Sequence, residues 1–374
     1  MRDTLHVALY VDSPSFYGAE QVARGIVSGL PDSMRVTLIG PYLDVLRRVA
    51  ELRSSATVTV VPQVRNKRDW RSLLALRRAL RALEADILHV NLTDMAACLP
   101  EILVAATVRD LSVVALEHHP HAPSSKFQRL VKRASVRLLQ GHVAVSRSLA
   151  REVIAVTGER ASSVRVIPNG LAPVEVAGTG DSAIVRFGVA CRLERAKGLD
   201  ILVDALALAE RVQVDIVGTG TELVNLEAQS RAVGVADRVR FLGWTDDVDA
   251  FYRSIDVYVL PSRSEAMPLS VIEAMHHGLP VVAAEVGGLP ELLEHGVTGL
   301  LVQPENPAAL AAALEELRID PQRRRQLAAN ALDRARSAFS IELMASRYAE
   351  LYRDAAHPVR SGGRRGVRQS SRLA

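Results

Sequence analysis

Short runs rich in aliphatic and β-branched residues alternate along the chain with longer stretches whose apolar positions recur every three or four residues. The short runs, bounded by turn-forming residues, read as buried strands, and the longer ones as amphipathic helices. In the first half, strands are predicted at 6–11, 35–39, 57–61, 87–90, 112–116, 142–145 and 164–167, with helices near 19–29, 43–53, 70–84 and 126–139. Pro168-Asn169-Gly170 stops this pattern, and Pro173 with Gly178-Thr179-Gly180-Asp181 marks a linker. The pattern restarts with strands at 183–190, 212–217, 239–242, 256–260, 279–284 and 300–302. Helices are predicted between them near 199–209, 221–232, 247–253, 269–277 and 307–317. A last amphipathic stretch at 341–352 is expected to brace the two halves.

Strands alternating with helices predict parallel sheets joined by crossover helices, an α/β fold. Two such halves in succession predict two doubly wound, Rossmann-like domains facing each other across a cleft fed by the carboxyl ends of both sheets. The 374 residues suit that division. The expected organisation is a first domain at 1–170, a linker at 171–182, a second domain at 183–340, a closing helix at 341–356 and a tail at 357–374.

Composition changes the picture in three places. The formal charge of +4 comes from the tail, where Arg360, Arg364, Arg365, Arg368 and Arg372 stand without an acid, so the body is near neutral. That Gly/Ser/Arg-rich tail reads as disordered. Cys98 and Cys191, both among apolar neighbours, argue against a disulfide framework or a zinc site and suit a reducing cytoplasm. The start reads as a first strand and not as a signal peptide. No apolar run reaches membrane-spanning length, so membrane contact would be peripheral, at the inner face.

Candidate chemistry gathers at strand ends. Tyr17-Gly18-Ala19-Glu20 follows the first strand and opens a helix, where Gly18 permits close approach of an anion to the helix start. The dinucleotide fingerprint and the Walker pattern are both missing. Glu117-His118-His119-Pro120-His121 places three imidazoles in one short loop with no cysteine near, which suits a hydrogen bond to a sugar hydroxyl better than a metal. Ser146 reads as a helix cap, since nothing sets a base beside it. Arg192 and Lys197 fall in the loop ahead of the helix near 199, and two cations beside a helix start suit a diphosphate. Ordinary surface charge is the competing reading. Gly218-Thr219-Gly220 forms a tight turn after the next strand.

The densest segment runs from Pro261 to Met275. Glu265 lies in a loop, and Glu273 about one turn into the helix that starts near Pro268. The first can grip sugar hydroxyls and the second can reach a ribose diol. Paired carboxylates also suggest glycoside hydrolysis. Hydrolysis has no use for neighbouring phosphate-binding cations, so the combination favours a nucleotide sugar. Asp247-Val248-Asp249 imitates a metal-binding carboxylate pair, but Asp246 or Asp247 more simply caps the helix at 247–253.

With these residues in view, the sequence resembles the retaining glycosyltransferases of family 4, whose hallmark is two glutamates separated by seven residues, here Glu265 and Glu273. The resemblance takes in Gly18-Ala19-Glu20, Pro168-Asn169-Gly170, Arg192 with Lys197 and Gly198, Gly218 with Gly220, and Phe241-Leu242-Gly243-Trp244. It continues through Gly278-Leu279-Pro280-Val281-Val282, Gly287-Gly288, Glu291 and Gly296-Val297-Thr298-Gly299-Leu300-Leu301-Val302. Most of residues 160–305 is covered, and the match over 1–160 is thinner.

The resemblance implies a GT-B fold and a metal-independent enzyme that moves a sugar from a UDP- or GDP-linked donor to an acceptor hydroxyl, keeping the anomeric configuration and needing no cofactor. It implies that Arg192 and Lys197 hold the donor phosphates, Glu273 the ribose and Glu265 the donor sugar, with Gly218 in the donor turn. Leu269 and Ser270 would supply the N–H contacts that Pro268, lacking an N–H, cannot make. His118 is expected on the sugar side, with His119 a close second, and Gly18 on the acceptor side. Many relatives carry a second glycine where this chain has Tyr17, so a bulky ring is expected to shape the acceptor pocket.

Two other readings stay open. A nucleotide-sugar epimerase of the same architecture would turn over donor alone. A binding module for anionic lipid or nucleic acid would use Arg65, Lys67, Arg68, Arg71, Arg77, Arg78 and Arg81, together with Lys126, Arg129, Lys132, Arg133 and Arg137. Few aromatics and no recognition motif argue against nucleic acid. The acceptor class, whether lipid carrier, surface polysaccharide or small metabolite, is not legible.

Overall fold

The computed structural model describes residues 4–65, 69–176, 185–209 and 211–356. The basic tail, Lys67, Arg68 and much of the expected linker lie outside these. Strands β1 (Leu5–Tyr10), β2 (Met34–Gly40), β3 (Thr57–Val60), β4 (Ile87–Leu92), β5 (Ser112–Glu117), β6 (Gly141–Ala144) and β7 (Val164–Val166) form one sheet in the order β3-β2-β1-β4-β5-β6-β7. A second sheet has the order β10-β9-β8-β11-β12-β13. It contains β8 (Arg186–Ala190), β9 (Gln213–Val217), β10 (Val239–Gly243), β11 (Val257–Leu260), β12 (Val281–Ala284) and β13 (Leu300–Val302). Every strand pair is parallel.

The first sheet carries helices α1 (Gly18–Gly29), α2 (Leu43–Ala50), α3 (Trp70–Leu83), α4 (Leu99–Ala105), α5 (Lys126–Ser135) and α6 (Arg147–Thr157). The second carries α7 (Leu199–Leu208), α8 (Leu223–Ala232), α9 (Val248–Ser254), α10 (Leu269–His276), α11 (Leu289–Leu292), α12 (Pro307–Ile319) and α13 (Pro321–Ala338). Parallel strands must be covered on both faces, and successive side chains point to opposite sides. Val7 and Leu9 accordingly pack in one core with Val22 and Ile26 of α1, while Ala8 and Tyr10 pack in another with Leu76 and Leu80 of α3. Strand order reverses between β1 and β4, and again between β8 and β11. At such a reversal the loops on neighbouring strands diverge and leave a crevice at the carboxyl ends.

Three substantial helices depart from the sequence reading. α4 is too short, at seven residues, for a periodic signal. α6 ends in Val-Ile-Ala-Val-Thr, a strand-like run, and is helical because Leu149, Ala150 and Val153 pack against the core. α13 buries chiefly alanines, Ala328, Ala331 and Ala335 beside Leu327, so its apolar stripe is faint.

The last helix, α14 (Ile341–Ala356), returns the chain to the first half. Leu171 pairs with Ser340, Leu171 N–H donating to Phe339 O and Ile341 N–H to Leu171 O, both at 3.0 Å. Beyond this crossing α14 packs on α1, β4 and β5. A Cβ on Gly29 would lie 2.6 Å from Ala345 Cβ, so only glycine lets these helices approach so closely. His89 Nδ1 meets Tyr352 OH at 2.7 Å, and Ser112 OH donates to Ala355 O at 2.9 Å. The chain crossing is thus followed by a helix seated on the first sheet.

Candidate functional site

Because β8 and β11 are neighbours, the loops that leave them share one mouth. They are stitched together below it. Gly198 has φ +65°, and a Cβ there would lie 2.1 Å from Pro261 O. Arg263 N–H donates to Ala196 O at 2.8 Å, and its guanidinium grips Asp200 at 2.7 and 2.8 Å, which holds the Asp200 carboxyl below its usual range. On this frame Lys197 Nζ reaches Glu265 Oε1 at 2.7 Å, and Ser262 OH donates to the same oxygen at 2.7 Å. Glu265 is buried. Gly287 and Gly288 clamp its main chain, since a Cβ on Gly287 would lie 1.7 Å from Glu265 O and Gly288 N–H donates to that oxygen at 3.0 Å.

Gly218 has a steric reason to be glycine: at φ +131° a Cβ would fall 1.9 Å from Cys191 O, under the loop that carries Arg192. Arg192 is half-exposed and pairs with Glu194 at 2.7 Å. Its guanidinium carbon stands 6.0 Å from the centre of the Tyr17 ring, which projects from the first half. Beside that contact, a Cβ on Gly18 would sit 3.7 Å from Leu269 Cδ1. The turn opening α1 therefore faces the start of α10. That helix begins after Pro268 with no side-chain cap, leaving first-turn N–H groups, including those of Leu269 and Ser270, to be met by something else. Further along α10, Glu273 Oε2 accepts the Tyr252 hydroxyl at 2.8 Å, and burial pushes the Glu273 carboxyl up. Tyr252 is itself stacked on His277 at 4.8 Å.

The two candidate histidines separate. His118 is buried, its Nε2 2.6 Å from Asn91 Oδ1, while the Asn91 amide donates to Ala19 O at 3.3 Å. With the amide nitrogen so engaged, His118 Nε2 is the donor, an assignment made from the hydrogen-bond pattern. Burial, with His119 and His89 adding, pushes His118 down to about 3, so it is neutral. His119 is also lowered, by burial first and then by His121 and Lys197, and it feels Glu265 and Arg192 as well. Of the two, His119 is the one whose shift has charges of the second half, Lys197, Glu265 and Arg192, among its causes.

The loop that bears both histidines is anchored at Glu117, whose Oε1 meets Lys132 and, at 3.0 Å, His142 Nε2, all three buried. Burial would raise the Glu117 carboxyl, but Lys132 and His142 outweigh it and hold it low. Asn91 and Tyr252 were missed in the sequence because each acts through a partner on another element, and Lys132, read there as one of a basic surface group, is instead buried against Glu117. Ser146 does cap α6, accepting Leu149 N–H at 3.1 Å, and Asp247 caps α9, accepting Ala250 N–H at 2.8 Å. Among the described residues, no group of three or more His, Cys, Asp or Glu side chains could hold a metal ion. Nor is any helix among them long and apolar enough to cross a membrane.

Comparison with known proteins places this geometry. Residues 16–174 match the family described as Glycosyltransferase Family 4, and residues 186–334 match Glycosyl transferases group 1. A D-inositol 3-phosphate glycosyltransferase of Geodermatophilus obscurus is 35% identical over 205 residues, covering 51% of this chain and 44% of that protein. The lipopolysaccharide core biosynthesis glycosyltransferase LpsE of Rhizobium meliloti is 31% identical over 160 residues, covering 43% and 47%. The chain thus spans about half the length of the curated relatives it matches. Among solved structures, Anabaena HepE in complex with UDP superposes with a TM-score of 0.79 at 25% identity, covering 93% of this chain and 99% of that one. The same protein in complex with UDP-glucose gives 0.76 at 25% identity, covering 92% and 98%. One match falls on each sheet and the likeness to HepE runs through both, so the chain has the GT-B fold and each of its halves is similar to a glycosyltransferase family.

Proposed function

We propose that the protein transfers a sugar, with retention of configuration, from a uridine or guanosine diphosphate sugar to an acceptor hydroxyl. The observation that carries this is the pairing of half-buried Lys197 with buried Glu265 beside Arg192, at the shared mouth of β8 and β11 and opposite Gly18. In this reading residues 183–340 form the donor side and 1–170 the acceptor side, with 171–182 the linker and 341–356 the helix that ties them.

The donor diphosphate lies along Arg192, Lys197 and the first-turn N–H groups of Leu269 and Ser270. Glu265 takes sugar hydroxyls and Glu273 the ribose. The acceptor hydroxyl approaches on the face from which the diphosphate leaves. Its oxygen bonds to the anomeric carbon as the bond from that carbon to the phosphate oxygen breaks, and its proton passes to the departing phosphate. The two cations offset the charge that builds on the leaving group, so they contribute most in the transition state.

Titration calorimetry with UDP, GDP and their sugars tests the donor, with UDP-glucose first because HepE binds it. Product anomer analysis by NMR tests retention. Failure of both nucleotides to bind, or an inverted product, would sink the reading, while turnover of donor without acceptor would favour an epimerase.

His118→Ala is expected to lower transfer by about tenfold or more while sparing free nucleotide affinity, as for loss of a buried hydrogen-bonding group outside the nucleotide site. Steady-state assays of His118→Ala and His119→Ala decide the assignment. If only His119→Ala loses turnover, the sugar-side role passes to His119, the residue that feels Lys197 and Glu265.

A cytoplasmic enzyme in peripheral contact with an anionic membrane fits one further feature. Basic residues of both groups lie on α3 and α5, which pack on either side of α4, and Trp70, Leu103, Phe127 and Leu130 are exposed on the same helices as Arg71, Arg78, Lys126, Arg129 and Arg133. Co-sedimentation with anionic vesicles that weakens in salt is the expected result, and indifference to vesicle charge would remove this part.

A further inference from the structure

Glu291 belongs to the second half by its main chain and to the first by its contacts. Its two carboxylate oxygens accept the N–H groups of Arg147 and Ser148, each at 2.8 Å. These are the first two residues of α6, an eleven-residue helix whose own cap, Ser146, accepts the next N–H, from Leu149. One helix start is thus completed by both halves of the protein. A carboxylate there meets unsatisfied N–H groups and the positive end of the helix dipole, a charge-assisted arrangement.

The segment that carries Glu291 is held from behind. Arg334 of α13 donates to Glu291 O at 2.9 Å and to Leu292 O at 2.7 Å. Just upstream, a Cβ on Gly288 would lie 1.8 Å from Ala266 O and 3.2 Å from Ser146 Cβ, so glycine is sandwiched between the Glu265 loop and α6. The main chain of Glu265, Gly288 and Glu291 therefore forms one short path to the first half. Asn169 makes a second contact across the seam, its amide donating to Met267 O at 3.0 Å.

We propose that Glu291 is a positioning residue that sets the first half against the loop carrying Glu265, so that the cleft closes at one spacing. A flexible seam would leave the acceptor side free to miss the anomeric carbon, and small misplacements of reacting groups are costly. The kinetic part of this inference rests on the transferase reading.

The test pairs amide exchange with kinetics on the full chain, using free UDP as the probe of the donor side. Glu291→Gln keeps the size of the side chain but offers one acceptor oxygen where two N–H groups need one each. In Glu291→Gln and Glu291→Ala, the Arg147 and Ser148 amides are expected to exchange about tenfold faster or more, as for loss of a hydrogen bond to a charged group, with the interior of α6 unchanged. Transfer kcat should fall by about tenfold or more while UDP affinity moves by less than about twofold. A general folding defect would instead lower both and loosen all of α6. Unchanged exchange at Arg147 and Ser148, or a loss of UDP affinity in step with kcat, overturns the proposal. Should the wild type transfer no sugar at all, the transferase reading fails and the exchange result alone decides whether Glu291 joins the halves.

Discussion

Lys197→Ala is expected to lower transfer turnover by about a hundredfold or more, the range seen when one fixed group facing the developing negative charge is removed. Two losses combine in that substitution. The cation that faces the departing diphosphate is gone, and Glu265 is left buried with only the Ser262 hydroxyl on its Oε1. An unpaired buried carboxylate is costly, so the loop after β11 should also relax. Arg192→Ala should do less, about tenfold, because that guanidinium is half-exposed and pairs with the accessible Glu194 across high-dielectric solvent. Steady-state rates at saturating donor check both. Wild-type turnover in Lys197→Ala would remove it from the phosphate site.

Glu273→Ala should weaken free nucleoside diphosphate binding by about ten- to a hundredfold, as for loss of an ionised acceptor bonded to a hydroxyl. In the free protein this carboxylate holds the Tyr252 hydroxyl through Oε2, so a ribose would be received by a group already fixed in place. The contact is to the nucleoside and not to the reacting carbon, so most of the loss should appear in the donor KM. Glu265→Ala should behave in the opposite way, lowering turnover of the sugar donor while nearly sparing free nucleotide. Calorimetric titration of nucleoside diphosphate into both variants, with kinetics alongside, separates the roles. If Glu265→Ala loses nucleotide affinity and Glu273→Ala keeps it, the donor lies along α10 in the other direction.

Strands were legible to within a few residues because a parallel strand, covered on both faces, shows itself as an unbroken apolar run. The loops with Arg192, Lys197 and Glu265 could be placed for the same reason: each follows such a run directly. α13 was not legible because alanine makes a weak stripe, and of α6 only the Ser146 cap was read, because its β-branched ending mimics a strand. The orientation of His118 depends on Asn91, at the end of a neighbouring strand, and the partner of Glu291 lies 144 residues away. Contacts of that kind come from the order of strands within a half and from how the halves are set together, and no local pattern carries them.

The seat of α14 has a consequence for how the protein is made. The groove lined by Gly25, Gly29 and His89 belongs to the first half, yet the helix that fills it is encoded after the whole of the second. During synthesis the first sheet therefore forms with one flank bare and can be finished only after the second sheet has been built. Protease sensitivity of α1 in a chain stopped at residue 338 would report that bare flank, and equal resistance would argue against it. The half that is translated first is the half completed last.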